Sequence, residues 1–227
     1  MILNSADKSL SRAVVLANGP VADYPALSQL ILPDDDIVCV DGGLRHADAL
    51  ERTPRVVIGD MDSIEQARLR EIADRVEVLR YPAEKDETDL EIALHWVASA
   101  GFDRALIAGI SGGRLDHTLA NIHLLARHEW RFELCFWEQG QYAWLINGGQ
   151  SVQLDTHSGF TLSLLPLSET VTGISTRGMQ YPLSNARLAF GSTRGISNVV
   201  LQSPAAVSVQ SGKLLVIVTP PGPDRLD

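Results

Sequence analysis

The chain has 227 residues, 45% of them hydrophobic and 21% charged, with a formal net charge of −9, which is enough for one large domain or two smaller ones with buried cores. No apolar run reaches the roughly 18 residues of a membrane span, and no basic, hydrophobic, cleavable segment opens the chain, so neither a span nor a signal peptide is expected. Residues 1–140 hold 24 of the 28 acidic and 14 of the 19 basic side chains, a balance that argues against a nucleic-acid partner and suits a cationic small substrate or a metal-bound nucleotide.

Up to residue 140, apolar runs alternate with amphipathic stretches. Strands are predicted at 13–17 (AVVLA), 37–40 (IVCV), 56–58 (VVI), 76–79 (VEVL), 105–109 (ALIAG) and 132–137 (FELCFW). Helices are predicted around 24–31, 43–51, 63–74, 88–99 and 117–128. The strand runs are aliphatic and lack strict polar alternation, as in a parallel sheet covered on both faces. The order implies an α/β domain with an open, mostly parallel sheet, whose ligand crevice lies beyond the carboxyl ends of the strands. Cys39 and Cys135 fall in strand runs and read as buried thiols of a reducing compartment, here the cytoplasm.

After 140 the runs shorten and are split by Gly, Ser, Asn and Pro: 142–146 (YAWLI), 160–167 (FTLSLLPL), 171–175 (VTGIS), 186–190 (ARLAF), 198–202 (NVVLQ) and 213–219 (KLLVIVT). No helix of ordinary length is evident. Residues 141–227 therefore read as an antiparallel β-sandwich or barrel-like domain, joined to an α/β domain of residues 1–140 by a boundary between 138 and 142. The tail PPGPDRLD reads as a loose end.

Acidic residues collect in three segments: DGG at 41–43, GDMDS at 59–63 and KDETD at 85–89. Each follows a predicted strand or opens the helix after one. Asp41, Asp60, Asp62, Asp86 and Asp89 in one cleft would repel one another without a divalent cation and a phosphate-bearing ligand. Gly42 and Gly43 lack side chains, which allows a bulky ligand to approach closely. Asp60 and Asp62 stand two apart where both can reach one cation, while Ser63 and Gln66 match a helix-capping pair. Thr88 and Glu91 fit a second capping box, Asp86 and Asp89 share the start of that helix, and Lys85 suits a phosphate chain. A carboxylate at a helix start also has a purely structural use.

A fourth segment, GISGGRLDHTLAN at 109–121, lies between a strand and a helix containing Leu119, Ile122 and Leu125. Ser111, Gly112 and Gly113 can turn backbone N–H groups toward anionic oxygens, and Arg114 adds a donor fork. Asp116 suits a cap or the metal cluster, and His117 a donor or a packed ring. Neither a Walker A sequence nor GxGxxG is present. His46, His95, His123, His128 and His157 show no zinc-ligand spacing.

With DGG, GDMDS, YPAEKDETDLEIAL, GISGGRLDH and GMQYPLSNARLAFGSTRGISN in this order, the chain resembles the thiamine pyrophosphokinase (thiamine diphosphokinase) family. The resemblance implies an α/β N-terminal domain, a β-sandwich C-terminal domain that binds thiamine and dimerises, and active sites between the subunits of a homodimer. It also implies Mg²⁺-dependent transfer of a diphosphoryl group from ATP to thiamine, with release of AMP. Asp41, Asp60, Asp62, Asp86 and Asp89 resemble the family's catalytic acidic group, with Asp60, Asp62 and Asp86 expected at the metal. Lys85, Ser111, Gly112, Gly113, Arg114, Asp116 and His117 are expected on the ATP side. Ser197 and Asn198 match the family's pair near thiamine, and Tyr181 stands where some members have Trp. Two other readings of the acidic cluster are a Mg²⁺-dependent hydrolase or diphosphotransferase acting on another alcohol, and a non-catalytic nucleotide sensor. The Tyr181 and SN segment argues against the first, and the surplus of carboxylates against the second.

Overall fold

Six aliphatic runs become parallel strands: β1 (Arg12–Leu16), β2 (Asp36–Val40), β3 (Val56–Gly59), β4 (Glu77–Arg80), β5 (Arg104–Ala108) and β6 (Glu133–Glu138). β1, β2, β3 and β5 are buried along nearly their whole length, as expected for strands covered on both faces. The computed structural model describes residues 10–221, so residues 1–9 and most of the predicted loose tail lie outside the described part. The chain divides into two compact units between Gln139 and Gly140.

In the first unit the strand order is β6-β5-β1-β2-β3-β4, with parallel neighbours throughout. The intervening helices are α1 (Tyr24–Leu30), α2 (Leu44–Ala49), α3 (Gln66–Ile72), α4 (Asp89–Ser99) and α5 (Leu115–Arg127), and a 3-10 turn at Asp41–Gly43 leads into α2. Val14, Val15, Val38, Val57 and Ile107 fill the sheet, and α4 buries Leu90, Ala93, Leu94 and Val97. Burying each of these Val, Leu and Ile side chains contributes about 1.5–3 kcal/mol. α3 is shorter than the predicted 63–74. On α5 the buried positions are Leu124 and Leu125, whereas Leu115 and Leu119, one turn apart, are exposed.

The second unit contains two antiparallel sheets. One runs β12 (Asn198–Val199), β9 (Thr161–Pro166), β14 (Lys213–Thr219), β7 (Gln141–Asn147). The other runs β11 (Ala186–Ala189), β10 (Thr170–Arg177), β13 (Ala205–Ser208), β8 (Ser151–Leu154). β9 buries every second residue, the period of a strand with one face inward. The sequence runs locate six of these eight strands. β8 (SVQL) and β13 (AAVS) are four residues long with polar positions in each, so their alternation alone does not announce them; pairing of β8 with β13, and of β13 with β10, makes them strands.

Candidate active site

The parallel sheet changes direction between β1 and β5: the chain leaves β1 toward β2, and β5 returns to β1's other edge. Loops leaving two such strands diverge and open a crevice at their carboxyl ends. Here the Ala17 N–H donates to the Ala108 carbonyl at 2.9 Å and the Gly19 N–H to the Gly109 carbonyl at 2.7 Å, so the two loops are tied at their base. Asp41 follows β2, and Asp60 and Asp62 follow β3. Each offers a carboxylate oxygen within 4.8 Å of the others.

Local backbone geometry turns these acids outward. Asp41 and Met61 adopt left-handed φ values of 46° and 67°, which are unfavourable for residues with a β-carbon and persist only where the surroundings impose them. Met61 is buried at 1% exposure, and anchoring its side chain in the core sends Asp60 and Asp62 the other way. The Asp62 N–H donates to Asp60 Oδ1 at 3.0 Å, closing the turn. Ser63 Oγ donates to Asp62 Oδ1 at 2.9 Å; it does not cap α3, whose N-cap is Glu65 without a side-chain bond.

Asp41 is the buried member of the three. Its Oδ2 receives Asn18 Nδ2 at 3.3 Å, while Oδ1 is buried with no hydrogen-bond partner. An orphaned carboxylate oxygen costs the fold free energy unless a ligand satisfies it. Three carboxylates offering only hard oxygen donors fit Mg²⁺. The adjoining glycines have a packing role: a β-carbon at Gly43 would collide with the Leu16 carbonyl, so the close approach is to the chain's own β1.

The KDETD segment lies at the start of α4. Thr88 caps the helix, its Oγ1 accepting the Glu91 N–H at 3.2 Å. Glu91 does not return the favour, because its carboxylate turns toward Arg127 and His128. Burial pushes the Asp89 carboxyl above its usual range; Lys85 opposes this, and the charges of Asp60 and Asp41 reinforce it. Lys85 Nζ lies 3.0 Å from Asp89 Oδ1 and donates to the Pro82 carbonyl at 2.8 Å, so it is held at the acidic edge. Asp86 is exposed ahead of α4 and is not one of the close group of three.

In the fourth segment, Arg114 grips Asp116 through two bonds of 3.1 and 2.6 Å, and both side chains are exposed. That pairing, with the His117 N–H donating to Asp116 Oδ1 at 3.0 Å, holds the Asp116 carboxyl at about 2. Gly112, Gly113 and His117 are exposed beside them. Behind the loop stands Glu138, the last residue of β6; burial pushes its carboxyl upward, the Ser111 hydroxyl and the Ser111 and Ile110 N–H groups oppose the shift, and its Oε2 has no hydrogen-bond partner. Asn121 Nδ2 braces the same loop through the Ile110 carbonyl at 2.8 Å.

Sequence reasoning passed over Glu138, although an acid ending a strand run is the signal that singled out Asp41. It also missed Asn18 and Arg45. Arg45 donates to the Gly19 and Gly42 carbonyls at 3.2 and 3.3 Å and also to Asn18, tying the loop after β1 to the one after β2. Buried His46 bonds Tyr24 Oη through Nδ1 at 2.7 Å and the Gly19 carbonyl through Nε2 at 2.8 Å. A neutral ring that donates from Nε2 and accepts at Nδ1 satisfies both partners, and burial lowers its pKa accordingly.

In the second unit, Asn198 links two segments far apart in sequence. Its Oδ1 accepts the Tyr181 N–H at 3.0 Å and its Nδ2 donates to the Tyr181 carbonyl at 2.7 Å. Tyr181 is left 65% exposed. Ser197 adopts a left-handed φ of 61°, and its N–H donates to Ser163 Oγ at 3.1 Å. The structure thus brings Tyr181, Ser197 and Asn198 together within this unit.

Residues 27–136 match the family model for the thiamin pyrophosphokinase catalytic domain, and residues 150–216 that for its vitamin B1 binding domain. The chain is 34% identical over 167 residues to the thiamine pyrophosphokinase of Bacillus subtilis (strain 168), spanning 72% of this chain and 78% of that one. The crystal structure of a Bacillus subtilis thiamine pyrophosphokinase superimposes with a TM-score of 0.81 and 28% identity, over 92% of this chain and 99% of the other. A thiamin pyrophosphokinase from Geobacillus thermodenitrificans gives 0.77 and 28%, over 93% and 99%.

Proposed function

The chain belongs to the thiamine pyrophosphokinase family, and on that basis we propose that it transfers the diphosphoryl group of ATP to the hydroxyl of thiamine, giving thiamine diphosphate and AMP. The observation that carries the site assignment is the grouping of Asp41, Asp60 and Asp62, together with the orphaned Oδ1 of Asp41. In the reaction, the thiamine hydroxyl oxygen bonds to the β-phosphorus, the β-phosphorus parts from the oxygen that leaves with AMP, and the hydroxyl proton is released. Such a transfer needs in-line positioning and charge neutralisation more than covalent help.

Asp41, Asp60 and Asp62 are the residues that would hold Mg²⁺, with Asp86 and Asp89 at the edge of the group. When bound, the cation offsets charge on the phosphate oxygens and on departing AMP. Lys85, Ser111, Gly112, Gly113, Arg114, Asp116 and His117 form the ATP side. Arg114 exchanges Asp116 for a phosphate oxygen; the exchange costs little, because both side chains are exposed and water screens their pairing. Tyr181 offers an aromatic face to cationic thiamine, held by Asn198, with Ser197 beside it. A homodimer with active sites between subunits is supported by the exposed Tyr181, Phe190, Ile196 and Leu201 side chains of the second unit. The buried Cys39 and Cys135 thiols support a cytoplasmic setting. Among the described residues no helix is long and apolar enough to cross a membrane.

The test is incubation of the purified protein with Mg²⁺, ATP and thiamine and separation of the products. Equal amounts of thiamine diphosphate and AMP are expected. Thiamine-independent formation of ADP, or no turnover with any divalent cation, overturns the proposal.

A further inference from the structure

Away from the aspartates, the fold assembles a second group of ligating side chains. Glu91 and His95 stand one turn apart on α4, and His128 follows the end of α5; each offers a ligand atom within 4.8 Å of the others. Their wide separation along the chain is why no zinc spacing is visible in the sequence. The Glu91 side chain is only 6% exposed, and its Oε1 receives both Arg127 and His128 at 3.0 Å. The His95 and His128 rings meet edge to face at 4.8 Å, and Trp130 lies 5.0 Å from His128 and 5.3 Å from His95, which limits how the imidazoles can turn.

Two imidazoles and one carboxylate are a borderline donor set suited to zinc-class ions, unlike the all-oxygen set of Asp41, Asp60 and Asp62. We propose that Glu91, His95 and His128 form a second cation site, for Zn²⁺ or a similar transition metal, joining the first helix turn after Thr88 to the end of α5. Binding displaces Arg127 from the Glu91 carboxylate; its side chain is 65% exposed and moves into water. His128 ligates as a neutral imidazole, through whichever ring nitrogen carries no proton. This site stands independently of the proposed transferase reaction.

The test is Zn²⁺ and Co²⁺ binding to chelator-treated full-length protein, measured by equilibrium dialysis with metal analysis and by the visible spectrum of bound Co²⁺. Wild type and Asp60→Asn are expected to retain one equivalent that His95→Ala and His128→Ala lose. Arg127→Ala is expected to bind several-fold tighter, because the competing cation is gone. His95 is exposed, so its replacement leaves the metal-free fold intact, which a thermal melt without metal verifies. Equal Zn²⁺ binding by wild type and His95→Ala, loss of the equivalent in Asp60→Asn alone, or no Arg127→Ala effect would each overturn the assignment.

Discussion

A β-carbon placed on Gly59 would stand 3.0 Å from the β-carbon of Asp41, so the ends of β2 and β3 touch where the acidic residues leave the sheet. Gly59→Ala must therefore push the Asp41 backbone away from Asp60. The expected result is a stability loss of about 1–3 kcal/mol, the usual range for overpacking. A turnover loss of up to about 100-fold is expected as well, since misplacing a reacting group by an ångström costs that much. Steady-state kinetics and urea denaturation on one preparation separate the two; unchanged turnover would mean that the Asp41–Asp60 spacing does not matter.

Asp60→Asn and Asp62→Asn keep side-chain size and remove charge from the proposed cation site. Turnover is expected to fall by at least about 100-fold, given the several kcal/mol that metal-assisted charge stabilisation supplies. Melting temperature without cation should change little, and the rise that Mg²⁺ produces in wild type should shrink. A variant with wild-type Mg²⁺ dependence would remove that residue from the site.

Glu138 stands beside the donors of the Ser111 loop, which favour its charged form, without belonging to the group of acids. Glu138→Gln preserves its shape and removes the charge to which those donors respond. Hydrogen bonds to charged groups contribute about 1.5–3 kcal/mol, so KM for ATP should rise roughly tenfold or more while KM for thiamine stays near wild type. Equal effects on both substrates would point to general loosening of the fold instead.

His46 titrates below its ordinary 6.5, chiefly because burial penalises the imidazolium; the Gly19 carbonyl opposes this and Arg45 adds to it. On acidification the unfolded chain takes up its proton first, so stability is present above 6.5 and is lost as pH falls through that value toward the lower folded pKa. Urea midpoints across this range should decline in wild type and flatten in His46→Gln. A parallel decline in both proteins would assign the pH dependence to other groups.

Tyr181→Ala should raise KM for thiamine about tenfold, in line with the roughly 1–2 kcal/mol of a cation–π contact, and leave KM for ATP unchanged. Tyr181→Phe should behave like wild type, because the ring is the proposed contact. Unaltered thiamine kinetics in the alanine variant would remove Tyr181 from the site.

The aliphatic runs of β1, β2, β3 and β5 and the Thr88 cap were readable because each depends on residues adjacent in the chain. β8 and β13 were not, since four-residue strands with polar positions become strands only by pairing with partners elsewhere. The DGG, GDMDS and KDETD aspartates were visible as motifs, but which of them stand together was not. Left-handed Met61 and the sheet order put Asp41 beside Asp60 and Asp62 and leave Asp86 exposed.

By itself the sequence determined the α/β-then-β plan, the acidic character of the first unit and the family resemblance, because hydrophobic periodicity and short motifs are local properties. Only the tertiary structure decided that Asp41 Oδ1 lacks a partner, that Glu138 stands behind the Ser111 loop, and that Glu91 leaves its capping role to meet His95 and His128. Those facts depend on which distant segments share a strand end or a helix face, and pairing across the fold sets that.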